Sequence, residues 1–182
     1  MSNQTMTVWQ SVQLMKREGS RLAKEVPVDG MPSMTFSCSF APDPATRDEL
    51  AALGCDCPRD LAEFWALART AKLFEDQQYG QWGVEILDPE QAAAMTNRCR
   101  LKRGRDFVEG DLVVGKFLGD SDLLVIRCDS SITDYGSVLV ALPLDARGEW
   151  YNLGGTFASF LDTYVKSGGE KFWTKQDRES PR

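Results

Sequence analysis

The sequence predicts an α+β fold, a twisted antiparallel β-meander packed by helices. Three observations predict it. Short apolar runs lie near 82–87, 112–118, 123–128 and 137–142, and Trp82, Val84 and Ile86 alternate with Gly83 and Glu85. The connections between the later runs are too short for parallel crossovers, so those strands pair as antiparallel neighbours in a sheet of about four to six strands. Apolar residues at helical spacing lie on both sides of the runs, Leu61, Phe64, Trp65 and Ala68 before them and Phe157, Phe160, Leu161, Tyr164 and Val165 after them.

Taken in order, Val8, Trp9, Val12 and Met15 predict a first helix near 8–18, which Gly19 closes. Residues 27–44 carry five of the prolines and glycines that break regular structure, Pro27, Gly30, Pro32, Pro42 and Pro44, and read as an irregular arm with one extended piece, 34–40. Asp43-Pro44 reads as an N-cap with a first-turn proline. That helix points Leu50 and Leu53 inward and stops at Gly54. Pro58 opens the next helix. Asp88-Pro89-Glu90-Gln91 has the form of a capping box for a third, which ends in Arg98, Arg100, Lys102 and Arg103 against the negative end of its dipole. Gly119-Asp120-Ser121-Asp122 is a polar turn, which makes 112–128 a hairpin. A short strand is expected at 149–151. A last helix starts near Thr156 and stops at Gly168-Gly169. The organisation expected is an N-terminal helix and arm over 1–44, an α+β domain over 45–169, and a polar tail over 170–182 in which Phe172 and Trp173 are the candidates for docking.

The 182 residues have 42% hydrophobic and 26% charged composition, ordinary for a globular chain. No apolar run approaches transmembrane length, and the first residues are polar, so a cytoplasmic protein without a membrane role is expected. Five irregularly spaced cysteines, Cys38, Cys55, Cys57, Cys99 and Cys128, read as reduced thiols. Histidine is absent, which removes Ser/His and Cys/His nucleophile pairs and every His-containing zinc site. The net charge is −6. It resides between 106 and 149, where Asp106, Glu109, Asp111, Asp120, Asp122, Asp129, Asp134, Asp145 and Glu149 face only Lys116, Arg127 and Arg147. An acidic chain is ill matched to nucleic acid and well matched to a cationic protein.

Other patterns have simpler readings. Cys55-x-Cys57 lacks a second pair at zinc-site spacing and reads as thiols near a helix start; no metal or cofactor is expected. Asp120-Ser121-Asp122 has the form of a divalent-metal motif but sits where Asp and Ser are ordinary turn residues. Gly154-Gly155-Thr156 is an N-cap turn. The basic run from Arg98 to Arg105 contains no aromatic and reads as a helix end facing the acidic window. Trp65 and Phe64 read as core. Tyr135, in a loop with Asp129 and Asp134, has the composition of an interface anchor, and Trp82 is a second candidate.

Cys57-Pro58-Arg59-Asp60-Leu61 with Phe64-Trp65, the strand 83–87, the hairpin 114–128, and residues 136–140 followed by 150–160 together resemble the SUKH superfamily of cell-wall synthesis regulators and bacterial immunity proteins. The resemblance covers roughly 45–166. Where that family carries Asn-Gly-Gly after its Pro-x-x-Leu helix, this chain has Ala68 to Phe74. The resemblance implies an α+β fold, no catalytic residues, and toxin neutralisation by direct binding. The expected function is thus a non-catalytic immunity protein that masks a basic toxin domain, a nuclease for instance, through Asp120, Asp122, Asp129, Asp134, Tyr135 and Trp82. The alternatives are a regulatory scaffold with an endogenous partner and a hydrolase working with carboxylates alone.

Overall fold

The computed structural model describes residues 4–22 and 35–174. Residues 23–34 of the expected arm, including Pro27, Gly30 and Pro32, and the tail beyond Thr174 lie outside the described residues. The chain is an α+β protein in which seven strands form one sheet in the order of the sequence, every neighbour antiparallel. The strands are β1 (Phe36–Phe40), β2 (Ala71–Asp76), β3 (Val84–Ile86), β4 (Asp111–Phe117), β5 (Leu123–Arg127), β6 (Val138–Ala141) and β7 (Tyr151–Gly154). The helices are α1 (Val8–Leu22), α2 (Arg47–Ala51), α3 (Arg59–Leu67), α4 (Pro89–Lys102) and α5 (Phe157–Lys166).

The four expected strands fall at β3 to β6, and the extended piece in the arm is β1. The seventh strand, β2, has a broken alternation. Leu73 and Phe74 are both fully buried, because Phe74 takes φ +54° and adds a residue to the strand. Its amide donates to Cys38 Sγ at 3.3 Å, and its ring meets Tyr164 edge-on at 5.4 Å. The strand expected at 149–151 starts later: Arg147–Glu149 is a 3₁₀ turn and pairing begins at Tyr151.

Helix boundaries follow side-chain caps. Asp88 accepts from Gln91 N at 2.7 Å and opens α4, as expected. Thr156 caps α5 through Ser159 N at 3.3 Å. The α2 cap is Thr46 rather than Asp43: Glu49, three residues on, completes a capping box with it, and Asp43 has no such partner. Helix α1 passes through Gly19 to Leu22. A Cβ at Gly19 would stand 3.0 Å from Cys38 Cβ, so here glycine permits a close crossing of helix and strand. Val8, Val12 and Met15 are buried on that crossing, whereas Trp9 is 53% exposed.

Helices α1, α3 and α5 pack on one another, α1 against β1 and β2 as well; α4 lies on β4 with α2 against it. Phe117 turns its ring to Trp173, while the adjacent Lys116 borders a groove with Met95 and Arg98 of α4. Successive strand residues point to opposite faces, so the two helix layers cover opposite sides of the sheet. Trp65 donates from Nε1 to Leu87 O at 2.9 Å, and Phe64 meets Phe157 edge-on at 5.5 Å.

The chain after α5 completes the core. Trp173 has no exposed surface and lies 5.0 Å from the Phe117 ring, beside Phe160 and Tyr164. Phe172 is half-buried against Phe160 and Trp173. Trp82 closes the same corner by donating from Nε1 to Gly169 O at 3.0 Å. Trp173→Ala is expected to lower unfolding stability by about 3–5 kcal/mol in denaturant titration. Trp173→Phe should cost less, because the Trp173 indole N–H is buried without a partner among the described residues. Equal losses in the two variants would show that the ring is not packed as described.

Candidate functional site

The acidic stretch from 106 to 149 consumes much of its own charge. Asp111, with a fully buried side chain, accepts from Arg127 Nη1 at 2.7 Å and from Arg147 Nη1 and Nη2 at 2.5 and 3.1 Å. Val108 N donates to it at 2.9 Å. Arg103 bonds Asp106 at 3.0 Å and donates to the carbonyls of Leu142, Pro143 and Asp145. Arg100 donates to Asp111 O at 2.9 Å. Part of the basic run at the end of α4 thus does meet the acidic stretch, while Arg98, Lys102 and Arg105 remain exposed. Lys116 pairs with Glu85 at 3.0 Å.

The remaining acids separate into two groups. Asp120 and Asp122 occupy the β4–β5 turn, where Lys171 bonds Asp120 and stands 3.6 Å from Asp122. Asp120 is exposed and Asp122 half-buried. Burial, reinforced by Asp120, raises the Asp122 carboxyl above its ordinary range against the pull of Lys171. Trp82 belongs to this end of the sheet but is half-buried, with its polar edge bound to Gly169. Asp129 and Asp134 lie beyond the other end of β5, roughly 13 Å along the strand at the usual rise. A single acidic face, as the composition suggested, is therefore not what the hairpin presents. The six expected binding residues divide into Asp120, Asp122 and Trp82 at one end and Asp129, Asp134 and Tyr135 at the other.

The second group has a shaped surface. Tyr135 is 40% exposed and lines a depression of about 340 Å³ with Pro58, Arg59, Asp60, Glu63 and Thr156. The β5–β6 loop that carries it is tied down by hydrogen bonds. Asp134 accepts from Arg127 Nε at 3.1 Å, Asp129 accepts from Ser131 N at 2.9 Å, and Ser130 donates from both its amide and its hydroxyl to Asp56. The bonds from Ser131 hold the Asp129 carboxyl below its ordinary range, and those from Ser130 do the same for Asp56. Asp60 accepts from Ala158 N at 2.8 Å and so fixes the start of α5 beside the depression. Partial burial raises the Tyr135 phenol, with the neighbouring thiols and Asp56 and Asp60 adding to it, so the ring is neutral at physiological pH.

Asp56, Asp60 and Glu63 were legible in principle. Asp60 and Glu63 stand three apart on one stripe of α3 and Asp56 lies in the loop before it, but nothing in the sequence says that these residues face the 129–135 loop. Among the described residues no cluster of three His, Cys, Asp or Glu side chains has the geometry to hold a metal ion, and no helix is long and apolar enough to cross a membrane. No protein-family model matches the chain, and no curated protein matches it significantly.

Removing the buried carboxylate leaves two guanidinium groups without it, so Asp111→Ala is expected to cost about 3–5 kcal/mol of stability by chemical denaturation. Replacing Asp111, Arg127 and Arg147 together with apolar residues of similar volume should cost far less than the sum of the single changes. Additive losses would show that the three side chains do not act as one buried unit.

Proposed function

We propose that this protein is a non-catalytic binding protein of the immunity type, resembling the SUKH superfamily, and that the Tyr135 end of the molecule engages a basic protein domain. The reading rests on one observation: a half-exposed aromatic ring in a depression bordered by Asp60 and Glu63, with Asp56, Asp129 and Asp134 fixed around it. Tyrosine offers a large rigid contact area at small entropic cost, and aromatic rings on a polar rim are common sites of binding energy. The acids contribute to the rate of encounter and select against acidic partners. Most of them are held by hydrogen bonds before any partner arrives, which lowers the ordering cost of association. Arg59, exposed in the same depression, gives a partner's carboxylate a place in the register.

A photo-crosslinking residue in place of Tyr135, introduced in the native cell, is expected to capture a discrete basic protein that the same residue at the exposed Trp9 does not capture. Against the captured protein, Tyr135→Ala should weaken binding by about 2 kcal/mol, mainly through faster dissociation. Glu63→Gln should slow association and flatten its dependence on salt. Capture of the same proteins at both positions, or a Tyr135→Ala variant that binds like the unaltered protein, would remove this end as the binding surface.

A further inference from the structure

The loop between α2 and α3 carries two cysteines, and the fold brings a third to them from the end of β5. The Asp56 amide, between Cys55 and Cys57, donates to Cys128 O at 2.9 Å, so the loop is strapped to the strand end. Cys55 and Cys128 lie close enough for each to shift the ionisation of the other. Cys55 is half-buried and forms part of the wall of a pocket of about 150 Å³, together with Thr96, Asn97 and Arg100 of α4 and Gly110. A pocket of that size can hold a small molecule beside Cys55. Cys128 is buried behind Cys55.

Arg100 is the second observation. Its Nη2 reaches a backbone carbonyl, its Nε is buried with no hydrogen-bond partner, and no carboxylate forms an ion pair with it among the described residues. A guanidinium group so placed lacks an anion of its own: the Asp111 carboxylate in the same pocket is held by Arg127 and Arg147, and the other group there able to become an anion is the Cys55 thiol. We propose that Cys55 is a peroxide-reactive thiol and that Cys128 is its resolving partner, so that the protein closes a Cys55–Cys128 disulfide in response to a hydroperoxide.

The chemistry balances with a hydroperoxide as the oxidant. The Cys55 thiolate attacks the terminal peroxide oxygen; an S–O bond forms, the O–O bond breaks, and the departing alkoxide or hydroxide takes a proton. The Cys128 sulfur then attacks the Cys55 sulfenic acid. The S–S bond forms, the S–O bond breaks, and the hydroxyl leaves as water with the proton from Cys128. Two thiols are oxidised and one peroxide is reduced to an alcohol, or to water from hydrogen peroxide, plus one water.

The groups facing Cys55 favour this division of roles. The Cys128 thiol and the Arg100 guanidinium draw the Cys55 thiol below its ordinary value, against burial and the charge of Asp56. Cys128 is pushed up by the neighbouring Cys55 and by burial, which suits a thiol that acts second. Cys57 is pushed up to about 12 by burial and by Cys55, and its thiol donates to Pro58 O at 3.6 Å. Burial pushes Cys38 up to about 11 and also raises Cys99. Thiolate character, on which oxidation depends, is thereby concentrated at Cys55.

The test treats the whole chain with equimolar hydrogen peroxide and maps its peptides without reduction. The expected product is a loss of two hydrogens in the intact mass and a single Cys55–Cys128 cross-link. Cys128→Ser is expected to leave a sulfenic acid at Cys55 that dimedone traps, and Cys55→Ser to abolish the fast phase. Arg100→Gln should raise the pH at which Cys55 is half-alkylated, with about tenfold less thiolate at neutral pH for each unit of rise, and Arg100→Lys should restore most of it. First oxidation at Cys38, Cys57 or Cys99, equal rates at all five cysteines, or an Arg100→Gln profile unchanged from the unaltered protein would overturn the proposal. Mapping of the unaltered protein is decisive by itself if a variant fails to fold.

Discussion

The buried carboxylate of Asp111 holds together the half of the molecule from which the candidate surface projects. It stands at the first residue of β4 and receives guanidinium groups from the last residue of β5 and from the 3₁₀ turn before β7, plus an amide from its own approach loop. Three segments distant in sequence, at Asp111, Arg127 and Arg147, are fixed by one side chain. An ion removed from water needs most of its lone pairs satisfied, and these donors supply that. The position of Arg127 follows from Asp111, and Arg127 in turn donates to Asp134 and to Glu109 O. The loop bearing Tyr135 is thus set by a chain of contacts that starts in the interior.

This arrangement changes what an acidic composition means. A surplus of carboxylates between 106 and 149 suggests a broad negative field. Much of that surplus neutralises arginines whose role is structural, and what remains exposed is divided by the length of β5. The local field at Tyr135 owes as much to α3, which lies outside the acidic stretch, as to the residues within it. Net charge over a window of sequence reports solubility well and the shape of a surface poorly, because a sheet sends alternate loops to opposite ends.

Fold class, the central strands and the capped starts of α4 and α5 were readable from the sequence, because period and cap chemistry are local. Strand β2 was not, since the bulge at Phe74 destroys the alternation by which a strand is recognised. Helix α1 runs past Gly19 for a reason that lies on another element, the approach of Cys38. The cap at Thr46 depends on Glu49 more than on the proline signal two residues earlier. Of the candidate surface, Tyr135, Asp129 and Asp134 were legible as a loop composition, whereas the half-burial of Trp82, its bond to Gly169 O, and the meeting of the 129–135 loop with Asp56 and Asp60 depend on contacts between distant segments. The thiol cluster was invisible for the same reason, since four strands lie between Cys55 and Cys128 in the sequence.

Because each strand pairs with the one made just before it, the sheet can be laid down in the order of translation, with little waiting for distant partners. The aromatic layer beneath α5 follows a different timetable. Phe117, Phe160 and Tyr164 lose contact with water at one corner only when Trp173, which follows the last helix, arrives to cover them. The seven strands by themselves therefore leave an open greasy corner, which closes only with a residue that follows the last helix.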